Sequence, residues 1–397
     1  MKVLIADKLP SSSVQALEAL GLSTSLRPEL TADELPSVIA GVHVLVVRST
    51  RVTAATFEAA DALQLVIRAG AGTNTIDCDA AAEGAIHVAN CPGKNAVAVA
   101  ELTMGLAIAL DRRIPDNVAS MRAGRWEKGV YGKGGGLLGK TFGVAGMGRI
   151  GQEVASRARA FGMKVLAYDP YFSEERAEEL GVKLVTTVPE LCAGSNVISV
   201  HVPKTDATTH LFDAKAFSQM RPGTFFIHMA RGGVVDDQAM ADAVARGHIR
   251  AAADVFESEP KGSSAEYDGL FRDVEGFYGT HHIGASTTQS ELDTGMEAVR
   301  IVEAFSNGAP LPNCVNVRTT PKDSPSIVVR HEDRVGVLAG VFKTLKEAGI
   351  SVQEMENSVF EGAEAASARI VCDKCPSGEQ LLRIEGCDGV FAARLSS

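Results

Sequence analysis

Residues 140–170, KTFGVAGMGRIGQEVASRARAFGMKVLAYDP, constrain the fold more than any other stretch of the chain. A short apolar run, Thr141–Ala145, leads into Gly146, Gly148 and Gly151, the spacing GxGxxG. Helical spacing follows over Ile150–Ala160, and a second apolar run covers Val165–Tyr168. In such a turn Gly146 permits the tight bend, Gly148 lets backbone approach a pyrophosphate, and Gly151 lets the helix pack closely on the strand. The helix N-terminus adds unpaired N–H groups and the positive end of its dipole. Asp169 stands 18 residues beyond Gly151, at the end of the second strand. A carboxylate there accepts from the adenosine ribose 2′-OH and repels a 2′-phosphate, so the expected cofactor is NAD rather than NADP. Without these flanks the same glycines would make only a strand–turn–helix. Arg149 lies within the turn, either reaching the pyrophosphate or staying solvated. His201, in ISVHVP at a strand end, either borders the adenosine or is an ordinary loop histidine.

Around this unit the chain alternates short strands and helices, the mark of parallel α/β sheets. Before it, strands are expected at Val3–Ala6, Val42–Val47, Leu65–Arg68 and Ile86–Ala89, with helices at Ser12–Ala19 and Thr56–Ala62. A long helix from about Ala96 to Leu110 follows, limited by Pro115. After it come strands Asn196–Val200, Thr224–His228 and Ala251–Val255, then a helix over Ala285–Phe305. Pro310, Pro312, Pro321 and Pro325 crowd a linker. The remaining residues read βαββαβ, a split βαβ module: Ile327–Arg330, Val337–Ala348, Ser351–Val359, Ala365–Val371, Gly378–Ile384 and Gly389–Leu395. The fold class is thus α/β, two Rossmann-like lobes and a small C-terminal domain, in a chain of 397 residues.

The net charge of -10 speaks against a basic nucleic-acid surface. The longest apolar stretch, Val97–Leu110, is interrupted by Glu101 and is too short for a membrane span. The start, MKVLIADKLP, reads as a strand and not a secretory signal. Seven cysteines are scattered along the chain, which fits free thiols in a reducing compartment, and a cytoplasmic location is expected. Cys372 and Cys375 have CxxC spacing, but no second pair completes a zinc site, and no metal is expected.

Hydride exchange at a carbonyl carbon needs a group that moves the oxygen's proton and a cation for the neighbouring carboxylate. Candidates follow strands of the dinucleotide lobe, where ligands collect. Arg231, in MARGGVVDD, can grip a carboxylate. His282, in YGTHHIGAS before the long helix that starts near Ser286, can give or take the proton. Glu259, in DVFESEP, can hold the imidazole's tautomer and favour its cation. A buried Arg–Glu pair with a capping histidine is the alternative.

The motifs resemble those of the D-isomer-specific 2-hydroxyacid dehydrogenases. The resemblance rests on VVRSTRVT (46–53), LVIRAGAGTNTIDCDAA (65–81), AELTMGLAIAL (100–110), LGKTFGVAGMGRIGQEVA (138–155), ARGGVVDDQAM (230–240), AAADVFESEP (251–260) and HHIGAST (281–287), in family order. It implies an outer substrate-binding lobe from residues 1–95 and 282–315, an NAD-binding lobe from 96–281, a linker over 316–326 and an ACT-like domain over 327–397. It assigns Arg231, Glu259 and His282 to catalysis. NAD would be held by Gly146, Gly148, Arg149, Ile150, Gly151 and Asp169 of the turn and second strand. Along the later strand ends His201, Pro203, Ala230, Arg231, Asp254, His282 and Gly284 would complete that site. The likeness also implies a homodimer through the NAD-binding lobe, or a tetramer.

Within the family the likeness is greatest to members that oxidise 3-phospho-D-glycerate to 3-phosphooxypyruvate, at the start of serine synthesis. It implies substrate contacts from Arg48, Ser49, Arg51, Arg68, Ala69, Gly70 and Asn95, together with Arg231 and His282. Several arginines suit a phosphate plus a carboxylate, although each alone could be a surface charge. The loop RSTRVT is one residue shorter than the RSATKVT form, and His281 replaces the common proline before His282. Reduction of an unphosphorylated 2-oxoacid with NADH (glyoxylate, hydroxypyruvate or 2-oxoglutarate) is the alternative activity, and an NAD-sensing corepressor the alternative class. The tail resembles an ACT regulatory domain through HxDxxGVL-like spacing after His331, and Asp333 and Ser351 stand where effector-binding members carry asparagines. It is read either as an oligomerising module or as an amino-acid sensor.

Overall fold

The computed structural model describes residues 1–260, 264–318, 320–321 and 323–396. Thr319 and Lys322 of the expected linker and Ser397 of the expected terminal domain lie outside the described residues. The chain divides into two units, Met1–Asn316 and Val317–Ser397.

The first unit begins with β1 (Lys2–Ile5), α1 (Ser11–Ala19), β2 (Ser23–Leu26), β3 (Val44–Val47), β4 (Leu65–Arg68) and β5 (His87–Asn90), which form a parallel sheet in the order β2-β1-β3-β4-β5. All four residues of β3 are buried, as a strand covered on both faces requires. α2 (Ala96–Arg112) then carries the chain into a second lobe. It stops where Arg113 takes a left-handed conformation, and Pro115 sits in the first turn of the next helix, Ile114–Arg122.

That lobe holds β6 (Thr141–Ala145), α3 (Arg149–Ala160), β7 (Lys164–Tyr168), β8 (Lys183–Val185), β9 (Val197–Val200), β10 (Thr224–His228), β11 (Ile249–Ala253) and β12 (Phe277–Gly279). Its seven strands are parallel, in the order β12-β11-β10-β9-β6-β7-β8. The order turns back at β6 and β9, whose carboxyl ends make a switch point where such sheets bind ligands. Val99, Met104, Ala107 and Leu110 of α2 bury against Val154, Ala155 and Ala158 of α3. The Gly132–Gly136 run, which sequence leaves without a role, is tethered: Gly135 and Gly136 donate their N–H groups to the buried Asp111 carboxylate at 3.1 Å each.

α4 (Thr288–Ser306) returns the chain to the first lobe, where Ala298, Ile301 and Val302 pack among Val3, Ile5, Val44 and Val46. It starts later than the expected Ala285, because Thr287 is its N-cap and accepts from the N–H of Ser290. Residues 282–287 are therefore loop. Asn316 then brackets β5 by accepting from Val88 and donating to the Ile86 carbonyl.

The second unit contains β13 (Ser326–Glu332), α5 (Val337–Glu347), β14 (Val352–Val359), β15 (Ala365–Cys372), α6 (Gly378–Glu385) and β16 (Val390–Ser396). Its antiparallel sheet has the order β14-β15-β13-β16, and Ile327, Val329, Val341, Leu345, Ile370 and Ile384 form its core. This is the ACT-like βαββαβ arrangement. Among the described residues no helix is long and apolar enough to cross a membrane, and no cluster of His, Cys, Asp and Glu could hold a metal ion.

Candidate active site

Between the two lobes of the first unit lies a cleft of about 360 Å³. The glycine turn forms part of its wall. Gly146 has φ +95°, and a side-chain carbon there would press on the His201 backbone at 2.9 Å. One at Gly151 would collide with the Gly146 carbonyl, so the helix can approach β6 only with glycine at that position. Gly148, in contrast, has open space before it and lines the cleft with Arg149 and Ile150. Asp169 follows β7, and its carboxylate accepts the N–H of Met147 at 2.8 Å and that of Tyr171 at 3.0 Å. This fixes it at the shoulder of the turn with lone pairs left for a ribose hydroxyl. The cradle, the open face at Gly148 and the placed carboxylate fit a dinucleotide.

Arg149 reaches across the cleft, donates to the Pro92 carbonyl and lies against Gly93. His201 lines the wall, its Nε2 2.8 Å from Ser199 Oγ, and both its burial and the neighbouring His228 push its pKa down to about 3. His228, fully buried at the end of β10, is pushed down to about 3 by burial, against a smaller opposing effect of the Arg231 backbone. Both imidazoles are therefore neutral and supply no charge to the site. Pro203 is exposed and Ala230 buried, and neither lines the cleft.

At the other end of this wall the backbone is under constraint. His282 has φ +53°, a conformation costly for a residue with a side chain. Asp254, buried just beyond β11, accounts for it. Its Oδ1 accepts from the Thr280 hydroxyl at 2.6 Å and the Ile283 N–H at 2.8 Å, while Oδ2 accepts from the Gly284 N–H at 2.7 Å. These bonds clamp the loop on both sides of His282. The His282 Nδ1 lies 2.8 Å from Glu259 Oε2, and Glu259 Oε1 accepts from the Phe256 N–H at 3.1 Å. Fixing Nδ1 as the donor leaves Nε2 free to exchange a proton. Arg231, with one N–H on the Ala230 carbonyl at 2.7 Å, lines the same cleft as His282.

From the opposite lobe come Arg48, Ser49, Arg68, Ala69, Gly70 and Asn95. The Asp7 carboxylate gathers the N–H groups of Arg48, Ser49 and Thr50 at 2.7, 3.0 and 3.0 Å on one oxygen. It thereby sets the loop after β3. Arg68 folds over Gly70, where a side chain would collide with the guanidinium, and donates to the Arg48 carbonyl at 3.0 Å. Burial, then the charges of Arg231 and Arg48, hold its pKa below the usual arginine range. Repulsion among three guanidinium groups is relieved when an anion enters. Arg51 does not share this position: it is exposed and outside the cleft. The buried Val52 bridges to Ile76 and donates its N–H to the Thr75 carbonyl, so the alternation of an extended segment turns Arg51 outward.

Among the residues of this lobe's contribution that sequence reasoning missed are Asp7, Lys8 and Glu291. Lys8 was findable from its place just past the end of β1, the sheet edge at which ligands bind. Glu291 carried no such signal, since an acid in the first turn of a helix is ordinary. The cleft thiol, Cys91, is pushed up to about 12 by burial, so it is not a thiolate nucleophile.

Residues 104–284 match the family model described as D-isomer specific 2-hydroxyacid dehydrogenase, NAD binding domain. The chain is 39% identical to a D-3-phosphoglycerate dehydrogenase of Mycobacterium tuberculosis, over 98% of this chain and 70% of that protein. It is 41% identical to a hydroxypyruvate reductase of Thermotoga maritima, over 75% of this chain and 96% of the relative. The crystal structure of the TT0316 protein from Thermus thermophilus superposes with a TM-score of 0.71 at 30% identity, covering 79% of this chain and all of that one. The chain spans about three fifths of the length of the first curated relatives that it matches.

Proposed function

Since this chain belongs to the D-isomer-specific 2-hydroxyacid dehydrogenases and carries their NAD-binding domain, we propose that it oxidises 3-phospho-D-glycerate to 3-phosphooxypyruvate. The observation that carries this reading is the position of His282. It is paired with Glu259 at 2.8 Å and lines one cleft with Arg231, Arg48 and Arg68. NAD, when bound, would supply the hydride acceptor. Gly146, Gly148 and Gly151 would make room for its pyrophosphate, and Asp169 would accept from its ribose hydroxyl. Arg231 pairs with the substrate carboxylate. His282 Nε2 takes the proton of the substrate's 2-hydroxyl while Glu259 holds Nδ1 and balances the imidazolium that forms. Arg48 and Ser49 receive the phosphate at the outer end, and Asn95 borders the same space.

The likeness to the T. maritima protein favours a second reading, reduction of an unphosphorylated 2-oxoacid such as hydroxypyruvate. A panel of phosphorylated and plain 2-hydroxyacids, each with NAD and NADP, separates the two. The first reading expects higher kcat/KM on 3-phospho-D-glycerate than on D-glycerate, and equal values would refute it. His282→Ala should lose about 10²–10⁴ in kcat, and wild-type turnover in that variant would remove His282 from the chemistry.

We further propose a homodimer through the NAD-binding lobe. Ile114, Met121, Trp126 and Val130 there are exposed, Trp126 to 80%, an apolar patch that a second copy would cover. The C-terminal domain is proposed to pair or to sense an amino acid, and its Asp333 and Ser351 are the positions to test.

A further inference from the structure

Two charged side chains at the outer end of the cleft have no part in the reaction just described. Lys8 lies in the loop between β1 and α1, and Glu291 in the first turn of α4. Both line the cleft beside Arg48. Glu291 Oε1 is 3.0 Å from Arg48 Nη1, with their side chains 40% and 35% exposed. Lys8 makes no salt bridge among the described residues. β1 and β3 are paired in parallel, Ile5 against Val46, so Lys8 and Arg48 leave neighbouring strand ends. The Asp7 carboxylate, next to Lys8 in the chain, has one oxygen committed to three backbone N–H groups.

We propose that Lys8 and Glu291 are specificity-determining residues, which together set the charge that the far end of the substrate must carry. The inference rests on the dehydrogenase reading above. The charged side chains that line the cleft are Lys8, Arg48, Arg68, Arg149 and Arg231 against Asp254 and Glu291, five minus two, or +3. A carboxylate with a phosphate carries about -2.5 to -3 at neutral pH. That nearly cancels the +3, whereas a plain hydroxyacid leaves about two positive charges uncompensated in a partly buried site. Glu291 also holds Arg48 in place. An incoming phosphate takes over that guanidinium, and the cation of Lys8 offsets the carboxylate left beside it.

The test uses the full chain with NAD and the variants Lys8→Met, Lys8→Arg, Glu291→Gln and the double variant Lys8→Met/Glu291→Gln. The ratio of kcat/KM for 3-phospho-D-glycerate to that for D-glycerate should fall about tenfold in Lys8→Met, through KM and not kcat. It should recover in Lys8→Arg, rise about threefold in Glu291→Gln, and return close to wild type in the double variant, where the net charge is again +3. Thermal melting confirms that each variant folds. Wild-type protein that treats the two acids alike would sink the substrate reading. The inference fails separately if wild type prefers the phosphorylated acid and Lys8→Met keeps that preference. Calorimetric binding of inorganic phosphate needs no turnover, and an affinity unchanged across all variants overturns the inference whatever the substrate.

Discussion

Asp254→Asn tests whether the loop carrying His282 is held by one buried carboxylate. Three donors face Asp254, the Thr280 hydroxyl at 2.6 Å and the N–H groups of Ile283 and Gly284 at 2.8 and 2.7 Å. Both carboxylate oxygens accept, but an asparagine has one acceptor and one NH₂. Its best orientation keeps the oxygen on Thr280 and Ile283 and sets N–H against the N–H of Gly284. The volume is unchanged, so the loss is one charge-assisted bond plus a donor buried without a partner, about 2–4 kcal/mol. The same bonds keep His282 at φ +53°, a conformation that itself costs about 1–2 kcal/mol. Once they weaken, the backbone relaxes to negative φ and His282 leaves Glu259. For a unit this large, melting should fall by about 4–10 °C. Amide exchange at Ile283 and Gly284 should rise, and kcat on any working substrate should drop about 10²-fold. Melting and amide exchange report on the clamp without reference to substrate. A variant within 1 °C of wild type, with these two amides still protected, would refute the reasoning.

Glu297 is held well below the usual carboxylate range, at about 2, chiefly by Arg300, with Asn313 and Lys94 also bonded to it. A carboxyl depressed on folding stabilises the protein above its unfolded pKa, about 4.3, and that stability is lost as pH falls toward 2. Glu297→Gln should therefore cost about 2–3 kcal/mol in denaturant unfolding at pH 7 and almost nothing at pH 2, and an equal cost at both would contradict the pairing. Asp169→Ala should raise kcat/KM with NADP relative to NAD about tenfold or more, and unchanged cofactor preference would dissociate Asp169 from the ribose. Gly151→Ala, which sets a methyl against the Gly146 carbonyl, should weaken NAD binding at least tenfold in fluorescence titration, whereas normal affinity would show that the turn has room to shift.

How far the sequence could be read depended on how local the determining interaction was. The strands Leu65–Arg68, Thr141–Ala145 and Thr224–His228 were legible to the residue, because short, buried parallel strands are continuous apolar runs bounded by polar turns. The edge strands β2 (STSL) and β8 (KLV) were not, since neither is fully buried and neither has such a run. The Gly132–Gly136 run was opaque for another reason. Its partner, Asp111, lies at the end of a helix more than twenty residues earlier, and nothing in the glycines points to it. A side chain at Gly134 would meet Arg112, so part of the run is explained by close approach and not by mobility.

The same distinction divides the candidate site. Arg231 and His201 follow β10 and β9, as the strand pattern has it, because the carboxyl edge of a parallel sheet is set by the sheet alone. Arg51 went astray by a property that is also local: alternation in an extended segment, with Val52 inside, puts its neighbour outside. Glu291 was invisible in a deeper sense. It reaches the cleft only because α4 returns some 240 residues later to complete the first lobe, and its meaning comes from Arg48, not from its own neighbours. Charge in a binding site is a sum over elements that meet only in the fold. A sequence can name the arginines that attract an anion, but the carboxylate that limits how much anion they attract is known only once the helix carrying it has docked.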